Sequence, residues 1–223
     1  MTNSKKWSDN LEIKTVILPT GSFEAHGTHL PFTTDAIIPQ RIAEEAAKKT
    51  GAFVLPAMPY GNTQELSNFK GTISITAQGL VTITKDILES LVAHGAEKII
   101  ILNGHVGNEH SLEVAMRDVI AKSDKNIKIK VANIWGTLVK SFPAHAGKEE
   151  TSLMLYLSPE HTDLKNAINQ PLSSNAENNY LTKYYFSDRK IPCEGEPKAA
   201  SSELGKKLFD EMVGALVDLI RKF

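Results

Sequence analysis

Apolar residues recur along the chain in two alternating rhythms. Residues 12–18 (EIKTVIL), 52–55 (AFVL), 98–102 (KIIIL) and 127–133 (IKIKVAN) are short runs rich in branched side chains, the pattern of buried strands. Between them lie segments with apolar positions at helical spacing: 36–49, 77–93, 109–122, 148–157 and a closing helix at 202–221. Pro39 is expected in the first turn of the 36–49 helix, where a missing N–H is tolerated. Thr76 is the expected N-cap of the next helix, Gly95 its stop, and His94 should sit favourably against its C-terminal dipole. Repeated strand–helix units of this kind predict an α/β fold, a three-layer α/β/α sandwich around a mainly parallel central sheet. Residues 162–198, rich in Asn, Ser and Pro, read as a surface excursion or an active-site cover.

Composition narrows the function classes. A chain of 223 residues suits one domain spanning 1–223, and 41% hydrophobic with 23% charged residues is the balance of a globular protein. A formal net charge of −1 gives no footprint for nucleic acid. No apolar stretch reaches the roughly 18 residues of a membrane span, and the N-terminus lacks the apolar core of a secretory signal. The single cysteine, Cys193, fits a reducing cytoplasm, and its Gly/Pro-rich setting makes a poor case for a nucleophile.

The chemistry is concentrated after three of the strands, at the edge where open parallel sheets bind ligands. Residues 21–35 (GSFEAHGTHLPFTTD) gather Glu24, His26, His29 and Asp35. Residues 103–108 (NGHVGN) carry His105 between two glycines, and 145–152 (HAGKEETS) carry His145, Glu149 and Glu150. Each cluster alone has an ordinary reading: an acidic surface loop, an Asn-Gly turn, first-turn acids favoured by a helix dipole. Three such loops converging on one edge point instead to a divalent-metal site, because crowded carboxylates and imidazoles near a core are costly without a cation. His110 and His161 read as solvated surface residues, and Tyr60, Phe69 and Trp135 as candidate pocket walls or core.

Three ordered motifs, G-S-x-E-x-H-G-x-H-L-P with an Asp nine residues after its first His, N-G-H-x-G-N and H-A-G-x-x-E-T-S, resemble the creatininase (creatinine amidohydrolase) family. The similarity runs from about Leu18 to Ser152 and continues more weakly through residues 60–74 and 194–205. The resemblance implies a three-layer α/β fold, a two-metal hydrolytic centre using Zn, Mn or Fe, and a homo-oligomer, with a hexamer among the candidate states. It also implies cleavage of non-peptide C–N bonds in small molecules such as cyclic amides and formamides. Carried over by residue, Glu24 and His105 hold one metal, His26 and Glu150 the other, Asp35 bridges them, and His145 is the catalytic acid. Two cations sharing a carboxylate can acidify a bridging water, and the resulting hydroxide would attack the amide carbonyl. The leaving nitrogen then needs a proton. His29 is left to orient a ligand or cap the turn.

The chain departs from the creatinine-cleaving members at Ala144 and Gly107, where they carry Glu, which moves the expected substrate away from creatinine. Leu66 replaces a His and Lys70 a Pro of many members, and Lys70 could meet an anionic group. A deformylase acting on a ribosylaminopyrimidine phosphate and an enzyme trimming a peptide-derived cofactor are therefore candidates. A non-catalytic metal-stabilised binding protein and a metallo-phosphoesterase are the rivals from other classes.

Overall fold

The computed structural model describes residues 6–9, 11, 13–172 and 189–223. Its sheet has four parallel strands in the order β2-β1-β3-β4: β1 (Thr15–Thr20), β2 (Phe53–Val54), β3 (Lys98–Asn103) and β4 (Lys128–Asn133). Among the described residues five α-helices surround it: α1 (Thr34–Thr50), α2 (Ala77–Ala93), α3 (Glu109–Lys122), α4 (Lys148–Leu157) and α5 (Ser202–Lys222).

Alternation along the strands builds the three layers. Ile17, Ile100 and Leu102 turn to a cluster with α1, α4 and α5, while Val16, Leu18, Ile99 and Ile101 turn to one with α2 and α3. Both faces of β3 are therefore covered, as its unbroken apolar run requires. Full burial of each such side chain stabilises the fold by about 1.5–3 kcal/mol. Thr76 does cap α2, its hydroxyl accepting from the Gly79 amide at 3.0 Å, and Gly95 follows with φ +96°. Among the described residues no helix is long and apolar enough to cross a membrane.

The first strand and helix differ from expectation in ways that matter for the site. β1 ends at Thr20, two residues past the predicted end; its predicted start at residue 12 lies outside the described residues. β2 shrinks to two residues. α1 starts at Thr34, so Asp35 stands in its first turn and Pro39 is an interior residue. Pro39 has no N–H to give the Asp35 carbonyl four residues earlier. That carbonyl instead faces the ends of β1 and β3: a Cβ on either Gly21 or Gly104 would collide with it. Two glycines and one proline thus let the sheet edge close on the first turn of α1.

Candidate metal centre

The three loops meet at the carboxyl edge of the sheet. Glu24 and His26 follow β1, Asp35 opens α1, His105 follows β3, and His145 and Glu150 flank the start of α4. All except the half-buried His145 are nearly sealed from solvent. Asp35 lies between two histidines, its Oδ1 3.1 Å from His26 Nε2 and its Oδ2 3.0 Å from His105 Nδ1. Ser22 Oγ also donates to Oδ2, at 3.0 Å. Glu24 Oε2 lies 3.3 Å from His105 Nδ1, and Glu150 Oε2 lies 4.0 Å from His26 Nε2.

The other ring nitrogens are tied to backbone carbonyls, which can only accept. His26 Nδ1 donates to Glu24 O at 3.1 Å and His105 Nε2 to Asn62 O at 2.9 Å. Both rings thereby turn their remaining nitrogen toward the carboxylates, as metal-ligating histidines require. His145 Nε2 donates to Ala25 O at 2.9 Å, and its Nδ1 stands 3.7 Å from Glu24 Oε1. Its ring also lies against His26, with centroids 4.4 Å apart.

The crowding of buried carboxylates and imidazoles shifts the titration of each. Burial resists charge on His26, yet Asp35, Glu24 and Glu150 outweigh it and push the imidazole up to about 10. Burial likewise resists charge on His105, and Glu24 and Asp35 push it up to about 9. Burial raises Glu150 to about 8, with Asp35 and Glu24 adding to the rise and His26 opposing it. Burial also raises Glu24. Asp35 goes the other way: its own burial is overcome by His26 and His105, which hold it far below the usual range. Protons here do work that a divalent ion would do better. Glu24 Oε2, buried and without a hydrogen bond among the described residues, is an orphan of the kind a cation would satisfy. Among the described residues, three donor groups have the spacing to hold an ion: Glu24–Asp35–His105, His26–Asp35–Glu150 and Glu24–His26–His145.

A family model described as creatinine amidohydrolase (creatininase) matches residues 3–220. The chain belongs to the creatininase family. That family is one of metal-dependent hydrolases. A creatinine amidohydrolase of Pseudomonas putida is 27% identical over 93% of this chain and 88% of its own length. A mycofactocin precursor peptide peptidase of Mycobacterium ulcerans is 30% identical over 93% and 85%. A 2-amino-5-formylamino-6-ribosylaminopyrimidin-4(3H)-one 5'-monophosphate deformylase of Methanocaldococcus infernus is 28% identical over 93% and 90%. Among solved structures, a creatininase in its Mn form superposes with a TM-score of 0.83 at 25% identity, covering 99% of this chain and 96% of that one. A creatininase variant of Zn-Zn type gives 0.79 at 26%, covering 93% and 90%.

The structure also gives partners or surroundings to the other residues near the site. His29 donates to or accepts from Thr151 Oγ1 at 2.8 Å, next to Glu150, so it braces the start of α4. Phe23 stacks on Phe32 at 5.3 Å and meets Tyr60 at 6.1 Å, an aromatic group beside Glu24. Trp135 lies in the core cluster with α1, α4 and α5. His110 and His161 are exposed. Within the 162–198 stretch, residues 173–188 lie outside the described residues, but 192–194 grip two of the three site loops. Gly27 N donates to Pro192 O at 2.6 Å and Glu194 N to His145 O at 2.8 Å. Gly107 is closed to side chains, since a Cβ there would lie 2.5 Å from Asn62 O and 2.6 Å from His105 Nε2.

Proposed function

We propose that this chain is a two-metal amidohydrolase that cleaves the non-peptide C–N bond of a small cyclic amide or formamide. The carrying observation is the divided use of Asp35, whose two oxygens face His26 and His105 separately. Glu24 and His105 would hold one divalent ion, His26 and Glu150 the other, and Asp35 would bridge them. Nitrogen and oxygen donors without a thiolate fit Zn, Mn or Fe, and the Mn and Zn-Zn forms of the similar creatininases support that choice. When bound, the ions supply Lewis acidity and a water acidified toward neutrality.

His145 moves the proton. Its Nε2–H is committed to the Ala25 carbonyl, so Nδ1 carries the lone pair on the Glu24 side. Burial, helped by the charge on His26, pushes the ring down to about 3, which keeps it neutral at rest. As water adds to the amide carbon, Nδ1 takes up a proton; it then passes that proton to the departing nitrogen as the C–N bond breaks. His145 is thus an acid only after serving as an acceptor, and the Ala25 carbonyl steadies the transient cation.

The similar deformylase favours a formamide, and the closed position at Gly107 argues against the ligand set of the creatinine-cleaving members. A cytoplasmic homo-oligomer, with the hexamer among its candidate states, completes the reading; the buried Cys193 thiol is in keeping with a reducing compartment. A scaffold without activity would have no use for His145 poised beside the donors.

The test is metal analysis of the purified protein together with hydrolysis of amide and formamide panels. Activity should vanish with a chelator and return with Zn or Mn. Turnover that survives complete metal removal would overturn the reading, and turnover of phosphoesters alone would replace it with phosphoryl chemistry.

A further inference from the structure

We propose that Asn103 is a positioning residue that clamps the backbone of His105, and that Glu109 sets the direction of the clamp. The inference rests on the two-ion reading above. Asn103 is the last residue of β3 and is 2% exposed. Its Oδ1 accepts from His105 N at 3.2 Å, and its Nδ2 donates to His105 O at 2.7 Å. The peptide groups on both sides of the His105 Cα are therefore tied to opposite ends of one amide. That fixes where the Cβ points and so where Nδ1 lies against Asp35 and Glu24.

The orientation of the amide follows from its neighbours. Strand register places Asn103 beside Asn133. Asn133 Nδ2 donates to Glu109 Oε1 at 2.7 Å, at the first turn of α3. An ionised carboxylate only accepts, so Asn133 must present its NH2 to Glu109 and its oxygen to Asn103. Asn103 must then present its own NH2 to Asn133, at 2.9 Å, which leaves Oδ1 for the His105 amide. Thr20 Oγ1, at 3.2 Å, and Asn108 Nδ2, at 3.4 Å, complete the acceptor end. Only an amide has both ends: a carboxylate at 103 would face two acceptors, His105 O and Asn133 Oδ1, with no donor for either.

The experiment compares Asn103→Ala, the near-isosteric Asn103→Asp, Asn133→Ala and His105→Ala, counting ions bound per chain in Zn titrations. Imidazole NMR signals of the metal-free proteins are followed in parallel. Wild type should bind two ions. Both Asn103 variants should keep the ion of the His26 set and bind the other about 10–100-fold more weakly, like His105→Ala. The His105 ring signals should shift while those of His26 stay. Wild-type affinity for both ions, or equal loss of both, overturns the clamp, because general support of the sheet edge would not choose between them. If the Asn103 variants do not fold, Asn133→Ala decides: unchanged affinity in the His105 half overturns the proposal. A wild type binding fewer than two ions would instead remove the two-metal reading, and the His105 ring signals alone would then judge the clamp.

Discussion

His145 is suspended from the loop that carries Glu24 and His26, its Nε2 donating to the carbonyl of Ala25 at 2.9 Å. The bond fixes the tautomer from the far side of the ring, so under the proposed mechanism proton transfer would fall to Nδ1. Replacing His145 with Ala should lower turnover by about 10²–10⁴-fold. Bound metal and melting temperature should stay near wild type, which parallel kinetics, metal analysis and calorimetry would check.

Protons and cations compete for this centre. In the metal-free protein His26 is pushed up to about 10 and His105 to about 9, in each case because carboxylates outweigh the cost of burial. An unfolded histidine titrates near about 6.5. Both groups therefore contribute stability that is complete below that pH and is lost as pH rises through about 9 to 10. Glu150, raised to about 8, acts in the same direction. Chelator-treated protein should melt lower at pH 10 than at pH 7, while affinity for added metal rises across the same window. Thermal melts and metal titrations at the two pH values test both halves.

Gly104 has no room for a side chain: a Cβ would meet the Asp35 carbonyl and lie 2.8 Å from Pro39 Cγ. Gly104→Ala should destabilise the fold by about 1–3 kcal/mol through overpacking. It should also weaken metal binding, because the displaced segment carries Asp35, the carboxylate shared by two of the donor groups. Denaturant midpoints with and without metal would separate the two effects.

His29 has a single side-chain hydrogen bond, to Thr151, among the described residues; its Nδ1 is buried without one. Thr151→Val keeps the shape and strips that partner. The expected cost is about 1–3 kcal/mol of stability, read by chemical denaturation, with metal content unchanged from wild type.

Cys193 is fully buried, and burial together with Glu150 and Glu194 pushes its thiol up to about 12. Thiol reagents should label it only after unfolding, and Cys193→Ala should retain catalysis. Rapid labelling of native protein with concurrent inactivation would contradict this.

The apolar runs at 98–102 and 127–133 announced their strands because branched residues buried on both faces leave a continuous signature. That Glu24, His26, Asp35, His105, His145 and Glu150 would cluster was legible for a related reason, since their three motifs each follow a strand at the carboxyl edge of the sheet. The start of α1 was not legible. Thr33, Thr34 and Asp35 are all residues of capping type, so the sequence does not say which of them precedes the helix, and Thr33 takes the place without a side-chain cap. The hold of Pro192 and Glu194 on the site loops was equally silent, because backbone hydrogen bonds spanning 49 residues or more leave no trace in side-chain pattern. The partner of His29 lies 122 residues away and escaped notice likewise.

Because the Asp35 carbonyl is wedged between Gly21 and Gly104, the floor of this centre is mechanically continuous with the two middle strands. Parting Asp35 from the ends of β1 and β3 would mean shearing the sheet, whereas His145 and Glu150 arrive with α4 and lie outside that wedge.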